Sequence, residues 1–207
     1  MKTYTKTQTL IECAVLAALG TVLAQIKLFR MPSGGSVTLM SMLPFIVIAI
    51  RHGFKWGLMS GAVNVILQIA LGGFYAPPAG TVIAFIGAVL LDYVVPYMGL
   101  AFAGPIAQPF FKAKPHEMAL GEDGEMHSYP ESAMSSKGRR LIGCVIATFA
   151  VCLLRFVSTT LSGILIWSSL ADGLWSAVIY SVGYSASYML LESFLTISGA
   201  ALISRYI

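Results

Sequence analysis

The chain has 207 residues, is 57% hydrophobic and 11% charged, and has a mean hydropathy of +0.81. A water-soluble domain carries about 25% charged residues, so this composition excludes one and points to a single membrane domain over 1–207. The net charge of +4 is modest and gives no reason to invoke nucleic acid.

Lys2 and Lys6 precede an apolar run from Leu10 to Phe29, which suits a full span of ~20 residues. A secretory leader starts similarly, but it has a shorter apolar core and a small-residue cleavage site. The run is therefore expected to be a retained first helix over 9–29. Apolar periods and breakers predict further helices over 37–50, 54–73, 81–104, 139–166 and 174–204. The second is short for a hydrocarbon core of ~30 Å, as for a partly re-entrant segment. Between the fourth and fifth runs lies PFFKAKPHEMALGEDGEMHSYPESAMSSKGRR, with mixed charge, Gly, Ser and Pro and no apolar period. It is expected to be a flexible cytoplasmic loop over about 109–138. The expected fold is an all-α integral membrane protein with six transmembrane helices.

Six spans place both termini on one side. That side collects Lys2, Lys6, Arg51, Lys55, Lys112, Lys114, Lys137, Arg139, Arg140 and Arg205, against Lys27 and Arg30 on the other. The positive-inside rule then predicts cytoplasmic termini. The outer connections, FRMPSGGSVT, GGFYAPPAGT and WSSLADGLW, read either as ordinary turns or as cover for a site open to the outside.

Cys13, Cys144 and Cys152 lie in apolar stretches without CxxC spacing, as small core residues do. His52, His116 and His127 fall in polar connections, so no metal constellation is legible. No GxxxxGK[ST], HExxH or GxSxG occurs. Uphill transport would have to draw on an ion gradient or on a partner.

A charge at mid-bilayer is costly unless it faces protein or a wet cavity. Glu12 can reach the interface from the start of the first helix, and Glu192 can pair locally. Asp92 and Arg155 have two readings. They join two helices as an ion pair, or they line a polar cavity in which Asp92 meets a cationic or hydrogen-bonding ligand. Tyr75, Tyr93, Tyr97, Trp167, Trp175, Tyr180 and Tyr184 gather near the outer ends of helices three to six. An interfacial belt accounts for such residues, Trp175 above all; so do aromatic faces around an organic cation. Ala14 and Ala18 make a small-xxx-small face, which packs within the bundle or against another protein's helix.

In ECAVLAAL, PSGGSVTLMSMLP followed by RHGFKWG, LLDYVVPYMGLAFAG, RFVSTTLSGILIW and YSVGYSASYM, taken in that order and spacing, the chain resembles a known family. It is similar to the S components, the substrate-binding subunits, of energy-coupling factor (ECF) vitamin transporters, specifically the thiamine-specific group. The likeness covers nearly the whole length except the long loop. It implies an S-component-like six-helix bundle with cytoplasmic termini in the cell membrane. Its activity would be high-affinity capture of thiamine, or of a related cationic vitamin or precursor, on the extracellular side, without enzymatic activity. No cofactor is implied in this chain. ATP is used only by the partners, two ATPase subunits below a membrane coupling subunit onto which the Ala14/Ala18 face would dock.

The loop after helix one would be a lid. Asp92 and Tyr93 match the family's acidic residue and tyrosine in helix four. Trp167 matches its tryptophan after the helix-five turn, Tyr180 its helix-six tyrosine and Tyr75 its loop-three tyrosine. Two positions depart from the pattern. Thr159, four residues after the basic Arg155, stands where thiamine binders usually have histidine. Ser185, five after Tyr180, stands where they usually have asparagine. Either water fills these gaps or the ligand is a relative of thiamine. The expected binding set is Asp92, Tyr93, Trp167, Tyr180, Tyr75, Thr159, Ser185 and Arg155. Two other classes fit less well. A stand-alone ion-coupled transporter of a small organic cation, with Asp92 as relay, would be expected to show an inverted repeat, which is not recognisable. A small membrane enzyme lacks its catalytic constellation.

Overall fold

The structure, a computed structural model, describes residues 5–31, 35–72, 74, 76–77, 80–111, 117–120, 126–129, 133–167 and 173–207. Thr5 starts the first helix with a capping box: its hydroxyl accepts from the Gln8 N–H at 3.3 Å, and the Gln8 side chain accepts from the Thr5 N–H at 3.1 Å. Helix α1 (Lys6–Gln25) leads into an antiparallel pair, β1 (Lys27–Arg30) and β2 (Ser36–Thr38). Helices α2 (Leu43–His52), α3 (Phe54–Gly72), α4 (Val82–Phe111), α5 (Ala133–Leu165) and α6 (Leu174–Ile203) follow. A second pair, β3 (Glu117–Leu120) and β4 (Met126–Tyr129), joins α4 to α5.

Among the described residues, α1, α3, α4, α5 and α6 are long and apolar enough to cross a membrane, and α2 is shorter. Their outward faces stay apolar, as at Leu10, Ile11 and Val15 of α1, Ile83 of α4, and Leu190 and Phe194 of α6. Water would punish such a surface, whereas lipid solvates it. The chain is a multi-pass membrane protein.

The limits of the sequence reading are local. α1 stops at Gln25, short of Phe29, because the chain turns into β1 and pairs Lys27 with Thr38. Within the segment expected to lack regular structure, Glu117 pairs with Tyr129 and Leu120 with Met126. α5 begins at Ala133, ahead of its apolar stretch.

α2 has 10 residues, about 15 Å of helix, and every residue from Leu43 to Ile50 is buried. It fills the bundle centre, packed by Cys13 and Ala17 of α1, Leu100 and Ala103 of α4, and Cys144 and Val151 of α5. A side chain at Gly104 would run into the Ala49 carbonyl, so α4 meets α2 backbone to backbone, as small residues allow in lipid. All three cysteines are buried and free, as expected of core residues. Glu12 pairs with Arg51 Nη1 at 2.9 Å and lies 3.1 Å from His52 Nε2, tying α1 to the end of α2.

Candidate functional site

The fourth helix is not uniform. It runs as α-helix over Val82–Ala88, widens to a π turn over Val89–Val94, and tightens to a 3-10 turn over Gly99–Phe102. Pro96 accounts for the widening, since its ring crowds the carbonyl four residues back and it has no N–H to donate. The Val95 N–H reaches back to the Leu90 carbonyl. The next carbonyl, Leu91, accepts instead from Ser158 Oγ of α5 at 2.6 Å. In a regular helix, residues five apart point about 140° away from each other. A π turn brings them onto one face, and Asp92 and Tyr97 both line the same cavity.

That cavity has a volume of about 180 Å³ and lies between α3, α4, α5, α6 and the β1–β2 hairpin. Asp92 Oδ2 accepts from Ser162 Oγ at 2.8 Å, and Trp167 lines the same cavity. Among the described residues no cation lies within ion-pair distance of Asp92. Arg155 is engaged elsewhere: its Nη2 stands 3.6 Å from Glu192 Oε2, and its guanidinium carbon lies 5.1 Å from the Tyr97 ring centre. The Asp92–Arg155 ion pair considered from the sequence is therefore replaced by Arg155–Glu192, across α5 and α6. Glu192 Oε1 accepts from Thr38 Oγ1 at 2.6 Å, and Thr38 shares a 2.7 Å hydrogen bond with Ser41.

The hairpin thus forms one wall. The Gly35 N–H donates to the Tyr184 hydroxyl at 3.2 Å, and a side chain at Gly35 would sit 2.9 Å from the Tyr188 ring. The wall that adjoins it, on α6, is aromatic. Tyr180 stacks on Tyr184 at 6.0 Å between ring centres, and Tyr184 meets Tyr188 edge-on at 5.8 Å.

Of the residues singled out from the sequence, Asp92, Tyr93, Arg155, Thr159, Trp167, Tyr180 and Ser185 all line this cavity. Tyr75 lies outside the described residues. Thr159 donates to the carbonyls of Arg155 at 3.1 Å and Phe156 at 3.2 Å, which leaves only its lone pairs for a ligand. Ala14 and Ala18 are exposed on α1, beside the buried stripe of Cys13, Ala17 and Gly20. The sequence reading missed the roles of Tyr188, Glu192 and Thr38. A signal existed: Tyr180, Tyr184, Tyr188 and Glu192 recur every fourth residue, one stripe of a helix. No group of three or more His, Cys, Asp or Glu side chains is placed to hold a metal among the described residues.

Comparison with known proteins bears on the family and on the fold. The profile of the family described as "Thiamine transporter protein (Thia_YuaJ)" matches residues 10–206. The thiamine transporter ThiT of Bacillus subtilis (strain 168) is 30% identical over 182 residues, covering 87% of this chain and 81% of its own. A solved structure of ThiT from Listeria monocytogenes superposes with a TM-score of 0.68 at 19% identity, covering 96% of this chain and 93% of that one. A structure of the S component of a bacterial ECF transporter gives 0.52 at 14% identity, with 98% and 96% covered. At such identities the two structures speak to the fold.

Proposed function

Because the chain belongs to the thiamine transporter protein family, and is thus a transport protein and not an enzyme, we propose that it is the substrate-capture subunit of an ECF-type importer. Its ligand is thiamine or a closely related cationic vitamin or precursor, taken from the outer face. One observation carries this reading. The cavity holds two carboxylates, and Glu192 is matched by Arg155 while Asp92 has a hydrogen-bond donor in Ser162 but no ion-pair partner among the described residues. An organic cation supplies the missing charge, with Trp167 and the tyrosine faces around it.

Thr159 and Ser185 offer small oxygen groups to the ligand's polar edge, with Arg155 at the cavity floor. Tyr93 and Tyr180 contribute further aromatic surface, and Tyr75 is proposed to join them from its loop. The β1–β2 hairpin serves as the lid. The excess of Lys and Arg that six spans assign to the side of the termini supports cytoplasmic termini. Coupling follows from contact between the Ala14/Ala18 face and a membrane coupling subunit that carries two ATPases; this chain needs no cofactor of its own.

The deciding experiment is equilibrium binding of thiamine to the purified chain, read by tryptophan fluorescence. Asp92→Asn is expected to weaken binding by ~100-fold, in the range for truncating one side of a buried charge pair. Equal affinity in wild type and variant would remove Asp92 from the site.

A further inference from the structure

We propose that Ser158 and Ser162 of α5 are positioning residues that set the aim of the Asp92 carboxylate without touching the ligand. They sit one helical turn apart, so both face α4. Ser158 is 3% exposed and Ser162 is 0% exposed, and neither lines the cavity. Each hydroxyl has one partner on α4: Leu91 O at 2.6 Å for Ser158, and Asp92 Oδ2 at 2.8 Å for Ser162.

The two contacts act on consecutive residues of the π turn. The Val95 N–H is turned to Leu90, and Pro96, the next donor in the i−5 pattern, has no N–H, so the Leu91 carbonyl is left without a helical partner. An unmatched carbonyl at membrane depth is costly, and the Ser158 hydroxyl takes the place of the absent N–H. With the backbone held there, Asp92 leaves the helix on the same face as Tyr97. Ser162 then fixes the rotation of the carboxylate by engaging Oδ2. Ser158 therefore holds the turn, Ser162 holds the side chain, and α5 carries both across to α4. No serine at either position is required for packing alone, since alanine would fill nearly the same space.

The assignment rests on Asp92 being the counter-charge of a cationic ligand, and the test separates the two ideas. The purified full chain is titrated with thiamine and with a neutral isostere in which an uncharged aromatic ring replaces the thiazolium. Ser162→Ala is expected to weaken the cation about tenfold, the scale of one hydrogen bond to a charged group. It leaves the neutral isostere within about twofold, and adds nothing in an Asp92→Asn background. Ser158→Ala follows the same charge-selective pattern. Equal losses for both ligands, or additive loss beside Asp92→Asn, overturn the proposal.

A second arm needs no ligand. The Asp92 carboxylate stretch, isolated by infrared difference against Asp92→Asn, is expected to move in Ser162→Ala, and an unmoved band overturns the assignment. If wild type ignores both ligands, the functional reading falls while the infrared band still decides the serines. Should Ser162→Ala not fold, Ser162→Cys, similar in size and a weak donor, carries both arms.

Discussion

Arg155 faces Glu192 across 3.6 Å with their side chains only 11% and 0% exposed, while Asp92 takes its hydrogen bond from Ser162. The two carboxylates of the cavity are thereby divided in role. Glu192 faces a buried cation and accepts from the hairpin through Thr38, whereas Asp92 faces no cation among the described residues and takes its hydrogen bond from Ser162. Neutralising one and leaving the other open is a way to hold a cation-sized deficit inside an otherwise stable bundle.

Breaking the neutral pair exposes its structural role. Glu192→Gln or Arg155→Met strands one buried charge and is expected to cost about 3–5 kcal/mol of stability. Replacing both, as Arg155→Met with Glu192→Leu, is expected to restore most of that loss. Thermal unfolding in detergent checks the order, and a double variant as unstable as the singles contradicts it.

The hairpin contact at Gly35 predicts a kinetic effect. A methyl group there lies 2.9 Å from the Tyr188 ring and 3.3 Å from the Tyr184 hydroxyl, so Gly35→Ala lifts the hairpin off α6. Ligand dissociation measured by stopped-flow fluorescence is expected to quicken about tenfold, since changes within one interface act mostly on the off-rate. An unaltered off-rate would count against the hairpin as a lid.

The two departures from the thiamine-binder pattern should behave differently. The Thr159 hydroxyl donates to its own helix at Arg155 and Phe156, so Thr159→Val is expected to change affinity by less than about threefold. Ser185 is 3% exposed, lines the cavity and has no such helix bond among the described residues. Ser185→Ala is expected to cost about five- to tenfold, the scale of one neutral hydrogen bond. Calorimetric titration of both variants with thiamine tests the contrast, and a larger effect at Thr159 would reverse the assignment.

The exposed small-residue face of α1 offers a test that separates binding from transport. Leucine at both Ala14 and Ala18 leaves the buried side of α1, at Cys13 and Ala17, untouched, so ligand affinity is expected to stay within twofold. Uptake by vesicles that also contain a coupling subunit and its ATPases is expected to fall at least tenfold, because bulk blocks close helix approach. Uptake that persists, or that proceeds with this chain alone under a pH gradient, points to a self-sufficient carrier instead.

Cost in lipid was what made Asp92 and Arg155 legible before any coordinates, and both line the cavity. Which carboxylate answers Arg155 was not legible. That depends on the rotation of α4, and a π turn alters the rotation by a residue without changing composition or hydropathy. Pro96, four positions after Asp92, was the one local sign of it. The hairpin was missed for another reason: β1 and β2 are short and only partly apolar, so the first helix read as continuing to Phe29 where it ends at Gln25. Helix stripes are legible in principle, and Tyr180, Tyr184, Tyr188 and Glu192 make one that a list of single aromatic residues conceals.

The enclosed position of α2 bears on how the protein is made. A segment half a bilayer long, with Leu43 through Ile50 all turned toward protein, has no favourable resting place in lipid by itself. Its backbone ends would meet hydrocarbon, and its length would leave it stranded. During synthesis it emerges well before α5, whose Cys144, Ala147 and Val151 close its wall. The walls that enclose α2 are thus complete only when α5 is in place, and the cavity comes into being only when the last third of the chain, with α5 and α6, has arrived.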